Sequence, residues 1–200
     1  MTPRAYPVGA GWIEVVCGCM FSGKTEELIR RLNRARYATQ RVVVFKPSVD
    51  VRYAAQEVVS HSAYRFPCIP VDNATAILSL VGEAQVVGID EAQFFDDDLV
   101  LVANRLADDG RRVVIAGLDQ DYLGRPFDPI PQLMAVAEYV QKTLAVCMVC
   151  GSPADRSQRL VNRDSRVLLG AEDTYEARCR VHWNPEQFDA EQQNLPLNEG

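Results

Sequence analysis

The stretch "EVVCGCMFSGKTEELIRRLNRAR", residues 14–36, decides the fold. It opens apolar and β-branched, passes through a short glycine-bounded loop, and ends with apolar residues at helical spacing. Gly18-Cys19-Met20-Phe21-Ser22-Gly23-Lys24-Thr25 fits the phosphate-loop pattern G-x-x-x-x-G-K-[ST]. Each part of the pattern has a physical task. Glycines let backbone N–H groups converge on phosphate oxygens, and the helix that follows offers the positive end of its dipole. Lys24 would reach the β- and γ-phosphates of ATP, and the Thr25 hydroxyl would ligate Mg²⁺. The bland alternative is a chance glycine loop before a helix. The order strand, loop, helix weighs against it, because the mechanism requires that order. Cys17 and Cys19 then read as bystanders, one at a strand end and one in the loop. Their notable consequence is oxidation sensitivity beside the phosphates.

Working outward, "RVVVF" (41–45), "AQVVGID" (84–90) and "RRVVIAGLD" (111–119) join "WIEVVC" (12–17) as short runs rich in Val and Ile. Such runs suit strands buried on both faces of a parallel sheet. Helix patterns lie between them. After Thr25, the residues Leu28, Ile29, Leu32 and Ala35 share one face, which leaves Arg30, Arg31, Arg34 and Arg36 mostly exposed. "NATAILSLVGE" (73–83) and "DDLVLVANRLADDG" (97–110) repeat the pattern, the second closed by a glycine. Strand–helix alternation predicts an α/β fold with a mostly parallel sheet and right-handed crossovers.

A phosphate loop needs a second metal-binding carboxylate at a strand end, and "VVGIDEAQFF" (86–95) supplies one. Asp90 ends an apolar run and is the candidate Mg²⁺ ligand. Glu91 is the candidate general base for an attacking hydroxyl or water. Taken alone, Asp-Glu could be no more than solvated charge closing a strand; paired with the phosphate loop it reads as functional.

The texture changes near residue 146. Cys147 and Cys150, then Cys179 and His182, form C-x₂-C followed by C-x₂-H. Three thiolates and one imidazole make a closed tetrahedral zinc site with no position left for a catalytic water, hence a structural one. A redox C-x-x-C pair or buried free thiols are the alternatives. Residues 151–178, pinned at both ends, are placed to clamp a substrate. His61 reads as a surface residue and Cys68 as a structural thiol. The expected division is a core over 1–145, a metal-binding segment over 146–188 and a frayed tail over 189–200.

The chain has 200 residues, 48% hydrophobic and 24% charged, with a net charge of −6 and a pI near 5.0. That balance argues against bulk electrostatic binding to nucleic acid or an anionic membrane. No apolar run is long enough to span a bilayer, and the N-terminus lacks the apolar centre of a secretory signal. A cytoplasmic location is expected, where cysteines serve as thiols or metal ligands. Two rival functions remain: a phosphate-loop ATPase or kinase for another acceptor, and a nucleic-acid-binding zinc module. The acidic charge and the lack of a basic stripe with interleaved aromatics count against the second.

The segments "GxMFSGKTxEL", "FKPxxDxRY", "GIDEAQFF", "GLDxDYxxxPF" and "CxxC…CxxH" follow the order found in zinc-containing, cytosolic-type thymidine kinases, which this chain resembles over about residues 11–185. The resemblance implies a phosphate-loop NTPase-like core with a small ribbon-like zinc domain carrying a lasso loop. It also implies transfer of the ATP γ-phosphoryl group to the 5′-hydroxyl of thymidine, in DNA-precursor salvage. By that resemblance Gly18 to Thr25 hold the ATP phosphates, Asp90, Glu91, Ala92 and Gln93 lie beside nucleotide and metal, and Glu91 removes the hydroxyl proton. Asp50 and Arg52 match the family's Asp-x-Arg, with Arg52 steadying the migrating phosphoryl or the sugar end. Arg166, Val167, Leu168, Leu169 and Gly170 match the lasso that reads the base edge, and Tyr175 matches its anchor. Met20, Leu118, Tyr122 and Phe127 match the base pocket. An apolar slot for the 5-methyl group is worth about 1–3 kcal/mol, so deoxyuridine is expected to be a poorer substrate. A homotetramer and inhibition by thymidine triphosphate are implied too. Two departures stand out: Cys19 replaces the family's usual proline, where a change in loop stiffness is expected, and His182 replaces a common cysteine.

Overall fold

The computed structural model describes residues 9–49, 57–59, 65–161 and 174–185. The opening motif folds in the expected order. Strand β1 (Trp12–Cys17) runs into the glycine loop, and helix α1 (Lys24–Tyr37) leaves it. Then follow β2 (Val42–Pro47), a small hairpin of β3 (Glu57–Val59) and β4 (Arg65–Pro67), β5 (Ile69–Val71) and α2 (Ala76–Leu80). Next come β6 (Val86–Ile89), α3 (Asp98–Asp108), β7 (Arg112–Gly117), α4 (Ile130–Val136) and β8 (Tyr139–Lys142).

Six strands form a parallel sheet in the order β5-β2-β6-β7-β1-β8. Side-chain alternation explains how one sheet serves two cores. Ile13, Val15 and Cys17 of β1 face a core built with α2, α3 and α4. Val16 faces the opposite core, where Leu28, Ile29, Leu32 and Ala35 of α1 pack with Phe66 and Cys68. The α/β architecture and mostly parallel sheet expected from the apolar runs are therefore present.

Three features differ from the expectations. The short edge strands β5 and β8 escaped notice because β5 contains Pro70 and β8, "YVQK", is mostly exposed. Helix α2 is only five residues long, although the helical pattern covers 73–83. And Arg31 is not exposed like its neighbours. Its Nη1 donates to Glu14 Oε2 at 2.7 Å, and its Nε donates to Glu27 Oε1 at 2.8 Å. Glu14 points to the α1 side of β1, and the only way to bury it is to surround it. Arg112 Nε donates to Oε1 at 2.6 Å and Trp12 Nε1 donates to the same oxygen at 2.7 Å. Burial pushes the Glu14 carboxyl up, but these bonds and the two guanidinium charges outweigh it and hold the group below its ordinary value.

Past the sheet, β9 (Ala145–Val146) pairs with β10 (Pro153–Ala154), and β11 (Arg156–Arg159) with β12 (Tyr175–Arg178), both antiparallel. No helix among the described residues is long and apolar enough to cross a membrane.

Candidate active site

The carboxyl ends of β1, β6 and β7 converge, which is where open α/β sheets bind ligands. Although β7 separates β1 from β6, the Thr25 hydroxyl donates to Asp90 with Oγ1 3.3 Å and 3.4 Å from the two carboxylate oxygens. A hydroxyl and a carboxylate this close could hold a divalent cation, since Mg²⁺ prefers such oxygen ligands. Lys24 Nζ folds back to the Cys19 carbonyl at 2.7 Å. Desolvation pulls its ammonium below the usual lysine value, and the carboxylates of Glu91, Asp90 and Asp119 oppose that pull. An anionic phosphate would add to their side.

The loop is braced from several directions. Gly18, at φ 146°, lies so close to the neighbouring segment that a Cβ would come within 2.3 Å of the Thr143 carbonyl oxygen. Only glycine fits there. The Thr143 N–H and hydroxyl both donate to the Cys17 carbonyl, at 2.8 and 3.0 Å. Ser22 Oγ donates to the Cys19 carbonyl at 2.8 Å. Cys17 and Cys19 are both buried. Burial and the nearby Asp119 carboxylate push the Cys17 thiol up to about 11, and burial pushes Cys19 up as well. Oxidation sensitivity, the expectation for these two, is not what their surroundings favour: inaccessible groups held as thiols are poor nucleophiles.

Glu91 follows Asp90 in the left-handed region, φ 51° and ψ 41°. A bulky residue there is uncommon and costs of order 1 kcal/mol, a cost that clusters at functional sites. Gln93 Nε2 donates to Glu91 Oε2 at 2.6 Å, and Gln93 Oε1 accepts the Leu118 N–H at 2.9 Å. Ala92 is packed into the core, so only its backbone is left for a ligand.

Beyond β7 the chain makes a tight loop, organised by the buried Asp121. Its Oδ1 accepts the N–H groups of Leu123 and Arg125, at 3.0 and 2.9 Å. That loop carries Leu118, Tyr122 and Phe127, and Phe127 meets Phe94 edge-to-face at 6.3 Å. Tyr175, at the start of β12, comes to the same place. A residue the sequence did not single out joins them: Arg159 lies 3.5 Å from the centre of the Tyr122 ring, and its Nη2 donates to the Tyr175 hydroxyl at 3.1 Å. Only the pairing of β11 with β12 brings Arg159 opposite Tyr175, and no local pattern announces it. The expected Asp50, Arg52, His61 and lasso residues Arg166 to Gly170 lie outside the described residues.

The four metal candidates do assemble. The ligand atoms of Cys147, Cys150, Cys179 and His182 all lie within 4.8 Å of one another. Cys150 Sγ and Cys179 Sγ are 3.8 Å apart, Cys147 Sγ and His182 Nδ1 3.8 Å, and Cys179 Sγ and His182 Nδ1 3.3 Å. A zinc ion about 2.3 Å from each sulfur sets tetrahedral edges of roughly this size, so the group could hold zinc. Two tight turns present it. Gly151 N–H donates to the Cys147 carbonyl and His182 N–H to the Cys179 carbonyl, at 2.9 and 3.1 Å.

The metal knuckle also touches the phosphate loop. Cys19 and Phe21 pack with Ala145, Cys147, Ala154 and Ala177. The Cys19 thiol donates to the Ala154 carbonyl at 3.4 Å, and Met20 N–H donates to the Ser157 hydroxyl at 3.1 Å. Trp183, next to His182, donates from Nε1 to the Tyr122 carbonyl at 3.2 Å.

The family model described as thymidine kinase matches residues 11–183. A thymidine kinase of Rhodothermus sp. (strain ITI 518) is 62% identical over 175 residues, covering 88% of this chain and 82% of that protein. A thymidine kinase of Bdellovibrio bacteriovorus is 54% identical over 187 residues, covering 93% of this chain and 92% of that one. The chain belongs to the thymidine kinase family.

Proposed function

We propose that the protein transfers the γ-phosphoryl group of ATP to the 5′-hydroxyl of thymidine, giving thymidine monophosphate and ADP in DNA-precursor salvage. The observation that carries this is the meeting of Lys24, Thr25, Asp90 and Glu91 at the carboxyl ends of the strands in a member of the thymidine kinase family. The loop from Gly18 to Thr25 cradles the phosphates, and Lys24 supplies positive charge where negative charge accumulates. Mg²⁺, when held by Thr25 and Asp90, neutralises phosphate charge. Glu91 takes the proton from the 5′-hydroxyl as its oxygen attacks the γ-phosphorus, and ADP leaves. Positioning and charge stabilisation do most of the work in such a transfer.

In this reading Met20, Leu118, Tyr122 and Phe127 wall the base, and the lasso from Arg166 to Gly170, anchored by Tyr175, reads its polar edge. Asp50 and Arg52 serve the sugar and the migrating phosphoryl group. Zinc in the Cys147-Cys150-Cys179-His182 group is structural. Residues 1–145 form the kinase core, 146–188 the zinc and lasso unit, and 189–200 a tail. The enzyme is cytoplasmic, assembles as a homotetramer and is inhibited by thymidine triphosphate.

The test offers γ-labelled ATP and Mg²⁺ with thymidine, deoxyuridine, deoxycytidine and deoxyadenosine in parallel. Labelled product is expected with thymidine, less with deoxyuridine and little with the others. Label released only to water, with no nucleoside product, overturns the kinase reading.

A further inference from the structure

Gln93 is 3% exposed, yet both ends of its amide are engaged with the site. Leu118 N–H can only donate, so the atom facing it at 2.9 Å is the amide oxygen, and the NH₂ group is turned toward Glu91 at 2.6 Å. The amide thus bridges the carboxylate of Glu91 and the first residue of the base-pocket loop. Little slack surrounds it. A Cβ at Gly117 would stand 3.0 Å from Gln93 Oε1 and 2.5 Å from Ile130 Cδ1, so the glycine leaves room for the bridge. On the other side, Glu91 holds a left-handed backbone that its neighbours must maintain.

We propose that Gln93 is a positioning residue that suspends the Glu91 carboxylate from the floor of the nucleoside pocket. The inference rests on Glu91 being the general base. A base contributes only when its oxygen is held within hydrogen-bond reach of the proton it removes. Gln93 supplies that constraint from a buried, packed side chain and ties it to the backbone amide of Leu118. The nucleoside pocket and the base therefore share one rigid link. In this role Gln93 acts on the reaction through Glu91.

Gln93→Met keeps the volume and removes both hydrogen bonds. Its kcat is expected to fall at least about tenfold, with KM for ATP changed by less than about threefold, because the alignment of the base is lost while the phosphate loop is untouched. Gln93→Glu keeps the shape and the acceptor for Leu118 but removes the donor to Glu91; it loses turnover likewise, and it stands in if the methionine variant does not fold. The discriminating measurement is the double mutant. In a Glu91→Gln background, Gln93→Met should have little further effect on residual turnover, because two residues acting as one unit are not additive. Parental kcat in Gln93→Met, or a full additional loss in the double mutant, overturns the proposal. Near-normal turnover in Glu91→Gln alone sinks the base reading instead; a crippled Glu91→Gln beside a silent Gln93→Met removes only the positioning role.

Discussion

In the proposed mechanism Glu91 is the base and Lys24 supplies charge to the phosphates, and the two lie close enough for the Glu91 carboxylate to favour the Lys24 ammonium. Removing the Glu91 charge while keeping its shape, as in Glu91→Gln, should lower kcat by at least about a hundredfold. Thymidine binding, read by calorimetry, should survive, because the proposed walls of the thymine pocket are Met20, Leu118, Tyr122 and Phe127. Arg159 is expected to act on binding instead. Its guanidinium lies against Tyr122 and holds the Tyr175 hydroxyl, so Arg159→Leu should raise the thymidine KM more than it lowers kcat. A buried cation–π contact together with a hydrogen bond to a charged group suggests a rise of about tenfold or more. Steady-state kinetics with thymidine as the varied substrate separates the two effects. Glu91 could be nominated from the pattern Asp-Glu at a strand end. Arg159 could not, since its role exists only once Tyr122 from one loop and Tyr175 from another strand are brought together.

Strand β1 and helix α1 were readable almost to the residue because apolar periodicity and the glycine loop agree on where one stops and the other starts. The edge strands were not, since β5 and β8 are short, β8 is mostly exposed, and their place is set by neighbours and not by their own composition. Glu14 shows the same limit within a strand. It sits in an apolar run as an isolated acid, and its three partners come from Trp12 of the same strand, from α1 and from β7. Glu14→Gln should destabilise the fold by about 3 kcal/mol, because the half-buried Arg112 loses its counter-charge and Arg31 keeps only Glu27. Urea unfolding followed by circular dichroism measures this. The pH dependence has a definite sign. The folded carboxyl lies below its ordinary 4.5, so its stabilisation is complete above that value and is lost as pH falls through the lower folded value. The Glu14→Gln variant should therefore lose less stability than the parent on acidification through that range.

The metal knuckle and the sheet meet through the phosphate loop. The four candidate ligands were visible as two spacings, C-x₂-C and C-x₂-H, because each tight turn is local. Where the knuckle docks was not visible: Met20 and Ser157 are 137 positions apart, and nothing in either neighbourhood names the other. Cys147→Ser should abolish zinc retention, measured as metal content after gel filtration. It should also lower the thermal midpoint and weaken both thymidine and ATP binding, since the same turns support the Tyr122 loop and the tip of the phosphate loop. Loss of thymidine affinity alone would show that the contact at Cys19 and Phe21 does not reach the phosphates.

Cys19, in place of the family's usual proline, was expected to change the stiffness of the loop. Its thiol is buried against the knuckle and donates to Ala154. Position 19 and the strand opposite it are therefore a matched pair, as two halves of a lock are cut together. A chimera that grafts a proline-bearing loop from a relative onto this core would leave the Ala154 carbonyl without its donor and a gap where the sulfur lay. Swapping the loop and the knuckle as one block keeps the fit. For anyone recombining such enzymes, the natural crossover points lie outside both segments, not in the stretch of chain between them.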